Sequence, residues 1–213
     1  MKQIHVTFPC GELSLEGVCH LPDRSGPFPA VVVCHPHPLY GGTMDNNVVL
    51  AVCQSLRKKG IMALRFNFRG VGGSEGNPGR GVGEPDDVIA AVSFIAAMEQ
   101  VDSKRIGIAG YSAGAIAAFS TMPQDERIQA ITAISPPLSF ATLEGLKAFP
   151  KPKLIITGSR DEFTTTEDFE RFGESLTEPK EYEVIPGADH FWWGYEERVG
   201  ERSATFFASA LKS

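Results

Sequence analysis

The chain has 213 residues, 42% of them apolar and 22% charged, with 22 glycines and 15 prolines. That is enough chain for a large core, and the composition excludes disorder as the dominant state. With 20 basic against 26 acidic residues the net charge is −6, which excludes nucleic acid or an anionic membrane surface as the main partner, since both select a basic face.

The N-terminal residues Met1-Lys-Gln-Ile-His-Val-Thr-Phe8 alternate like a strand and contain no apolar signal-peptide core, so a cytoplasmic location is expected. The runs Ile4–Phe8 and Leu13–Leu21, joined through Cys10-Gly-Glu12, predict an antiparallel hairpin. After a Pro/Gly turn, Ala30–Cys34 is a continuous apolar run, the pattern of a strand buried on both faces. Asp45 or Asn46 is placed to cap a helix running to about Lys59, with basic residues in its last turn and Gly60 as terminator. Ile61–Phe66 is the next predicted strand, followed by a Gly-rich loop, residues 67–83, and a helix opened by Pro85-Asp-Asp87. The longest nearly apolar run, Val88–Met98 in that helix, has 11 residues, short of the ~18 a bilayer-spanning helix needs. Further strands are predicted at Arg105–Ala109, Ile128–Ile134, Lys153–Thr157 and Glu181–Ile185, and helices at Ala113–Thr121, Thr166–Leu176 and Arg198–Leu211. No internal repeat or linker divides the chain, so residues 1–213 are expected to form a single α/β domain, a mostly parallel, doubly wound sheet with a leading antiparallel hairpin.

Four cysteines, Cys10, Cys19, Cys34 and Cys53, form no C-x-x-C pair and are expected to be buried free thiols in a reducing compartment. The segment Ile106-Gly-Ile-Ala-Gly110-Tyr-Ser112-Ala-Gly114 sets a G-x-S-x-G string between a predicted strand and a predicted helix. In that context it reads as a nucleophile elbow: Ser112 sits in a strained turn, and the glycines two residues either side allow strand and helix to approach. A serine needs a base, and the base an orienting acid. His190 is the only histidine after Ser112 and lies just past the last predicted strand. The acid should follow the preceding strand, where Asp161 stands, with Glu162 second; Asp189 adjoins His190, and adjacent residues seldom orient each other's side chains.

Two N–H donors are required for the oxyanion. One is expected from Ala113, directly after the nucleophile. The other should lie in His35-Pro-His-Pro38-Leu-Tyr-Gly-Gly42. Proline has no N–H and holds the residue before it extended, so the His37 amide is the expected donor, with Leu39 or Tyr40 as fallbacks. Cys34, His35 and His37 also admit a metal-ligand reading, but further ligands at zinc spacing are missing; no metal and no cofactor is expected.

At this point the chain resembles the α/β-hydrolase superfamily over its whole length, and within it the small, lid-free, dienelactone-hydrolase-like serine esterases. The likeness rests on His35-Pro-His-Pro-Leu-Tyr-Gly-Gly-Thr-Met-Asp-Asn46, Leu64-Arg-Phe-Asn-Phe-Arg-Gly-Val-Gly-Gly-Ser-Glu-Gly76, the elbow, and Gly187-Ala-Asp-His-Phe191. It implies Ser112 as nucleophile, Asp161 as acid, His190 as base, the amides of His37 and Ala113 as oxyanion donors, and structural roles for Asn67 and Arg69. Two departures stand out. Relatives often carry an aromatic where this chain has Ala113, which implies a roomier pocket. They commonly continue after the acid towards a Val-Pro turn, where this chain has Glu-Phe-Thr-Thr, which keeps Glu162 open as the acid.

A lid in this superfamily is usually inserted between the strand after the nucleophile helix and the strand before the acid. Here that connection, Ser135–Pro152, has only 18 residues, so no cap domain and a shallow, open cleft are expected. Its expected walls are Tyr40, Pro136, Pro137, Leu138, Phe163, Phe191 and Trp192, with Trp193 either a wall or part of the core. The reading is a serine hydrolase acting on short-acyl carboxylic esters, small molecules, through an acyl-enzyme. A peptidase or thioesterase of the same fold, or a hydrolase-shaped binding protein without turnover, are the alternatives, and a homo-oligomer stays open.

Overall fold

The structure, a computed structural model, describes residues 2–78, 82–121, 125–139 and 143–212. Eight strands form one sheet in the order β1-β2-β4-β3-β5-β6-β7-β8. The predicted hairpin is β1 (Lys2–Cys10) and β2 (Leu13–Leu21), paired antiparallel from Lys2 against Leu21 to Cys10 against Leu13. β2 also runs antiparallel to β4 (Met62–Phe66). From there every neighbouring pair is parallel: β4 with β3 (Phe28–Cys34), then β5 (Val101–Tyr111), β6 (Ile128–Ile134), β7 (Lys153–Arg160) and β8 (Lys180–Asp189). The mostly parallel sheet with a leading antiparallel pair is the architecture expected from the alternation of elements.

Helices cover both faces, and the side-chain alternation of the central strands shows why. On β3, Ala30, Val32 and Cys34 join the core shared with α2 (Glu84–Ala96), α3 (Ala113–Thr121), α4 (Glu144–Ala148) and α5 (Thr166–Ser175). Val31 and Val33 point the other way, into the core shared with α1 (Asn47–Lys58) and α6 (Glu196–Ala210). Two hydrophobic layers thus sandwich strands whose residues are apolar on both sides. The helix starts follow local chemistry. The Asn46 side chain accepts the Val48 N–H at 3.0 Å, and Thr165 accepts that of Asp168 at 3.1 Å. α2 begins with Pro85 in its first turn and Glu84, Asp86 and Asp87 near its positive end.

Strands β5 and β8 run longer than the apolar runs that predict them. Val101 pairs with Phe28 and Tyr111 with Ile134, while Asp189 pairs with Arg160. Sheet pairing therefore recruits polar residues that periodicity alone leaves in loops. Between β6 and β7 the described residues form no lid: the connection carries the five-residue α4, which buries Leu146 and is flanked by buried Leu143 and Phe149. Residues 140–142 of that connection, and residues 79–81 of the Gly-rich loop, lie outside the described residues. Among the described residues no helix is long and apolar enough to cross a membrane. All four cysteines are free and buried, and burial pushes the Cys19 and Cys53 thiols up to about 12.

Candidate active site

The chemistry gathers where parallel strands end. Ser112 follows β5, Asp161 follows β7 and His190 follows β8, all at the carboxyl edge of the sheet, where open α/β sheets present their ligand sites. Ser112 holds φ at +52°, a left-handed conformation that costs a non-glycine residue about 1 kcal/mol or more. The elbow explains how that strain is maintained. A Cβ on Gly110 would stand 2.5 Å from the Ala115 Cα, and one on Gly114 2.5 Å from the carbonyl oxygens of Cys34 and His35. Only glycine at both positions lets α3 start this close to β3 and β5.

From Ser112 a chain of contacts runs inward. The His190 Nε2 is 3.0 Å from the Ser112 Oγ, and its Nδ1 lies 3.0 and 2.9 Å from the two oxygens of Asp161. Since the carboxylate can only accept, Nδ1 carries the proton and Nε2 is left to accept from the serine. The Asp161 side chain is fully buried. Burial alone would raise its carboxyl, but His190, the Ser135 hydroxyl and the Phe163 amide outweigh that and hold it below the usual carboxylate range. The alternative acid Glu162 is exposed, and among the described residues the hydrogen bonds of the His190 Nδ1 go to Asp161 and not to Asp189. Tyr111, inside the elbow itself, donates its hydroxyl to the His190 carbonyl at 2.7 Å and so ties down the His190 backbone.

The loop after β3 is pinned by polar groups buried around it. His35 is fully buried: Nδ1 donates to the Pro36 carbonyl at 2.7 Å and Nε2 accepts the Phe68 N–H at 3.1 Å. Burial pushes it down to about 4, so the ring is neutral and both nitrogens are occupied by the backbone. Asn67 accepts the Met44 N–H at 2.8 Å and donates to Glu16 at 2.6 Å. Arg69 clamps Asp87 through its Nε, its Nη2 and its own backbone N–H at 2.7–2.9 Å. Arg65, also buried, binds the Met44 carbonyl, Asp45 and His20. Within the loop, the Leu39 amide donates to the His37 Nδ1 and the Tyr40 amide to the His37 carbonyl. Both fallback oxyanion donors are therefore already engaged.

Ser112 opens into a cavity of about 310 Å³ bordered by Pro36, His37, Tyr40, Asn46, Tyr111, Ala113, Ile116, Pro137, Phe163, His190 and Phe191. Tyr40 and Phe191 on its border are exposed, so the cavity opens to solvent beside them. The aromatic rings build the wall: Phe163 lies 4.4 Å from the His190 ring and 6.3 Å from Tyr40, and Phe191 stands edge-on to His190 at 5.6 Å.

Three expected wall residues, Trp192, Pro136 and Leu138, lie elsewhere, and so does Trp193. Trp192 is fully buried with φ at +62°, in the core beside α1 and α6, with its indole N–H on the Ser135 Oγ at 3.1 Å. The left-handed turn after the base sends this ring inward and leaves Phe191 and Trp193 outside. Trp193 is 67% exposed and borders no part of the cavity. Pro136 is buried, and its carbonyl accepts from the Thr164 hydroxyl, which also takes the Leu138 N–H. That tie curls the segment so that only Pro137 reaches the cavity, while Leu138 faces a neighbouring cavity of about 710 Å³ across Phe163.

A family model described as alpha/beta hydrolase domain matches residues 30–211. An uncharacterized protein of Rickettsia prowazekii is 35% identical over 172 residues, which cover 77% of this chain and 72% of that protein. Among solved structures, an alpha-beta serine hydrolase homologue from Coxiella burnetii superposes with a TM-score of 0.82 at 32% identity, covering 96% of each chain. XC6422 from Xanthomonas campestris, an a/b serine hydrolase without lid, superposes with a TM-score of 0.86 at 27% identity, covering 100% of this chain and 97% of that one.

Proposed function

The chain belongs to the α/β-hydrolase family, and from that premise we propose that it hydrolyses short-acyl carboxylic esters through an acyl-enzyme on Ser112. One observation carries the reading: Ser112, His190 and the buried Asp161 form an unbroken line of contacts of 2.9–3.0 Å that opens into a ring-walled cavity.

In the first half-reaction the Ser112 Oγ attacks the ester carbonyl as its proton passes to the His190 Nε2. The Asp161 carboxylate stabilises the imidazolium that forms, and the His37 and Ala113 amides hold the oxygen on which negative charge develops. The tetrahedral adduct collapses as His190 returns its proton to the departing alcohol, leaving Ser112 acylated. Water, deprotonated by the same imidazole, then attacks the acyl carbon, and the acid leaves with the serine restored. Ala113 at the mouth of α3 places one donor at the positive end of a helix dipole, which favours the anionic intermediate further.

The test is covalent labelling with a fluorophosphonate, with the modified residue mapped by mass spectrometry, beside a panel of acyl esters and thioesters. Labelling at Ser112, abolished in Ser112→Ala, and turnover of acetate and butyrate esters are expected. A folded wild-type protein that neither labels nor turns over any ester would mark it as a hydrolase-shaped binding protein. Preference for the thioester of a matched pair would shift the substrate class while keeping the mechanism.

A further inference from the structure

We propose that Thr157 is a positioning residue for the triad: its hydroxyl fixes the rotation of the Asp161 carboxylate and, through it, the ring of His190. The proposal rests on the triad reading above and goes beyond it, since nothing in the elbow logic calls for a threonine on β7.

Thr157 is fully buried near the end of β7, four residues before Asp161. Its Oγ1 donates to the Asp161 Oδ2 at 3.2 Å, while the Phe163 N–H donates to Oδ1 at 2.9 Å. The two donors hold opposite oxygens. Between them the His190 Nδ1 sits nearly equidistant from both, at 3.0 and 2.9 Å. A carboxylate turning about its last bond would break that symmetry, and the Thr157 and Phe163 donors, one on each oxygen, resist the turn. One of them is backbone and comes with the loop. The other is the Thr157 hydroxyl, which the strand's apolar packing does not itself require, since valine has the same branched shape.

The burial makes the arrangement consequential. A carboxylate with no exposed surface must find its donors within the protein or lose its charge. Ser135, just after β6, is buried, is anchored by the Trp192 indole at 3.1 Å and hydrogen-bonds the same carboxylate as a further hydroxyl. Both Ser135 and Trp192 hold left-handed φ angles, +43° and +62°. Such strain persists where surrounding structure over-determines it, typically around functional sites. Thr157 completes this setting from the strand that carries the acid.

The experiment uses the full chain with ¹⁵N-labelled histidine and two substitutions. Thr157→Val keeps the shape and removes the hydroxyl, whereas Thr157→Ser keeps the hydroxyl and removes the methyl. The low-field resonance of the His190 Nδ1 proton reads the hydrogen bond to Asp161 directly and needs no substrate. In Thr157→Val it is expected to move or broaden, with kcat for ester hydrolysis down about tenfold and KM little changed, the size of effect expected when one charge-assisted hydrogen bond is lost. Thr157→Ser is expected to restore both. An unmoved resonance with wild-type kcat in folded Thr157→Val overturns the proposal, as does equal impairment in Thr157→Ser, which would make the methyl packing responsible. If the wild-type protein turns over no ester while the resonance still responds to Thr157→Val, the positioning role stands and the hydrolase reading fails.

Discussion

Phe163 stands between the cavity of about 310 Å³ at Ser112 and its neighbour of about 710 Å³, and replacing it with alanine should change which acyl chains the protein accepts. At ~30 Å³ per water-sized unit, the smaller cavity holds about ten such units, or an acyl chain of about four to six carbons with part of the leaving group. Each methylene buried there stabilises binding by ~0.8 kcal/mol, about fourfold, so butyrate should exceed acetate by up to about fifteenfold in kcat/KM. Beyond about six carbons the added methylenes stay in water and contribute nothing, while the longer chain still loses freedom on binding. Decanoate and palmitate should therefore fall below butyrate. Phe163→Ala joins the two cavities and should carry the rise on to octanoate and decanoate. It should also slow the short esters, because the ring lies 4.4 Å from His190 and packs beside it. The assay is release of p-nitrophenol from an acyl series at concentrations well below KM and below micelle formation. A wild-type profile that climbs to palmitate, or an identical profile in Phe163→Ala, would refute the reasoning.

Ser112→Ala and His190→Ala should each lower kcat by on the order of 10³-fold or more, and the double variant should lose little beyond either, since triad members act as a unit; additive losses in steady-state assays would contradict that unit. Stability should fall on acidification between pH 6.5 and about 4. Burial lowers His20 and His35 from 6.5 to about 4, so in that window the unfolded chain takes up protons that the fold refuses, a loss on the order of 2–3 kcal/mol per histidine. Urea unfolding at pH 7, 5.5 and 4.5 measures it, and His20→Gln should flatten the slope. Asp161 works in the same direction lower down: its carboxyl is held below 3.8, so its contribution is present above that value and lost as pH falls towards the depressed one. Asp161→Asn should be less sensitive to pH in that range.

The features legible in the sequence are those written in short-range pattern. Ala30–Cys34 reads as a doubly buried strand because five apolar residues in succession have no other stable use, and β3 is that strand. Gly110 and Gly114 flag the elbow because a Cβ at either would strike backbone. The uniqueness of His190 after Ser112 narrows the candidate base to one residue before any distance is known. The cavity wall is written differently. Phe191, Trp192 and Trp193 are three consecutive rings with no period to sort them, and the sorting is done by one left-handed angle at Trp192. Pro136 and Pro137 are chemically identical, and a hydroxyl 28 residues away, on Thr164, decides which of them meets the cavity. Thr157 reads as one more β-branched strand residue until the carboxylate four positions on is seen to curl back over it. Residues whose role depends on their own geometry announce it locally. Those whose role depends on a loop returning from elsewhere are silent until that loop is placed, and around this serine the walls and the hydroxyl bracing Asp161 are of the second kind.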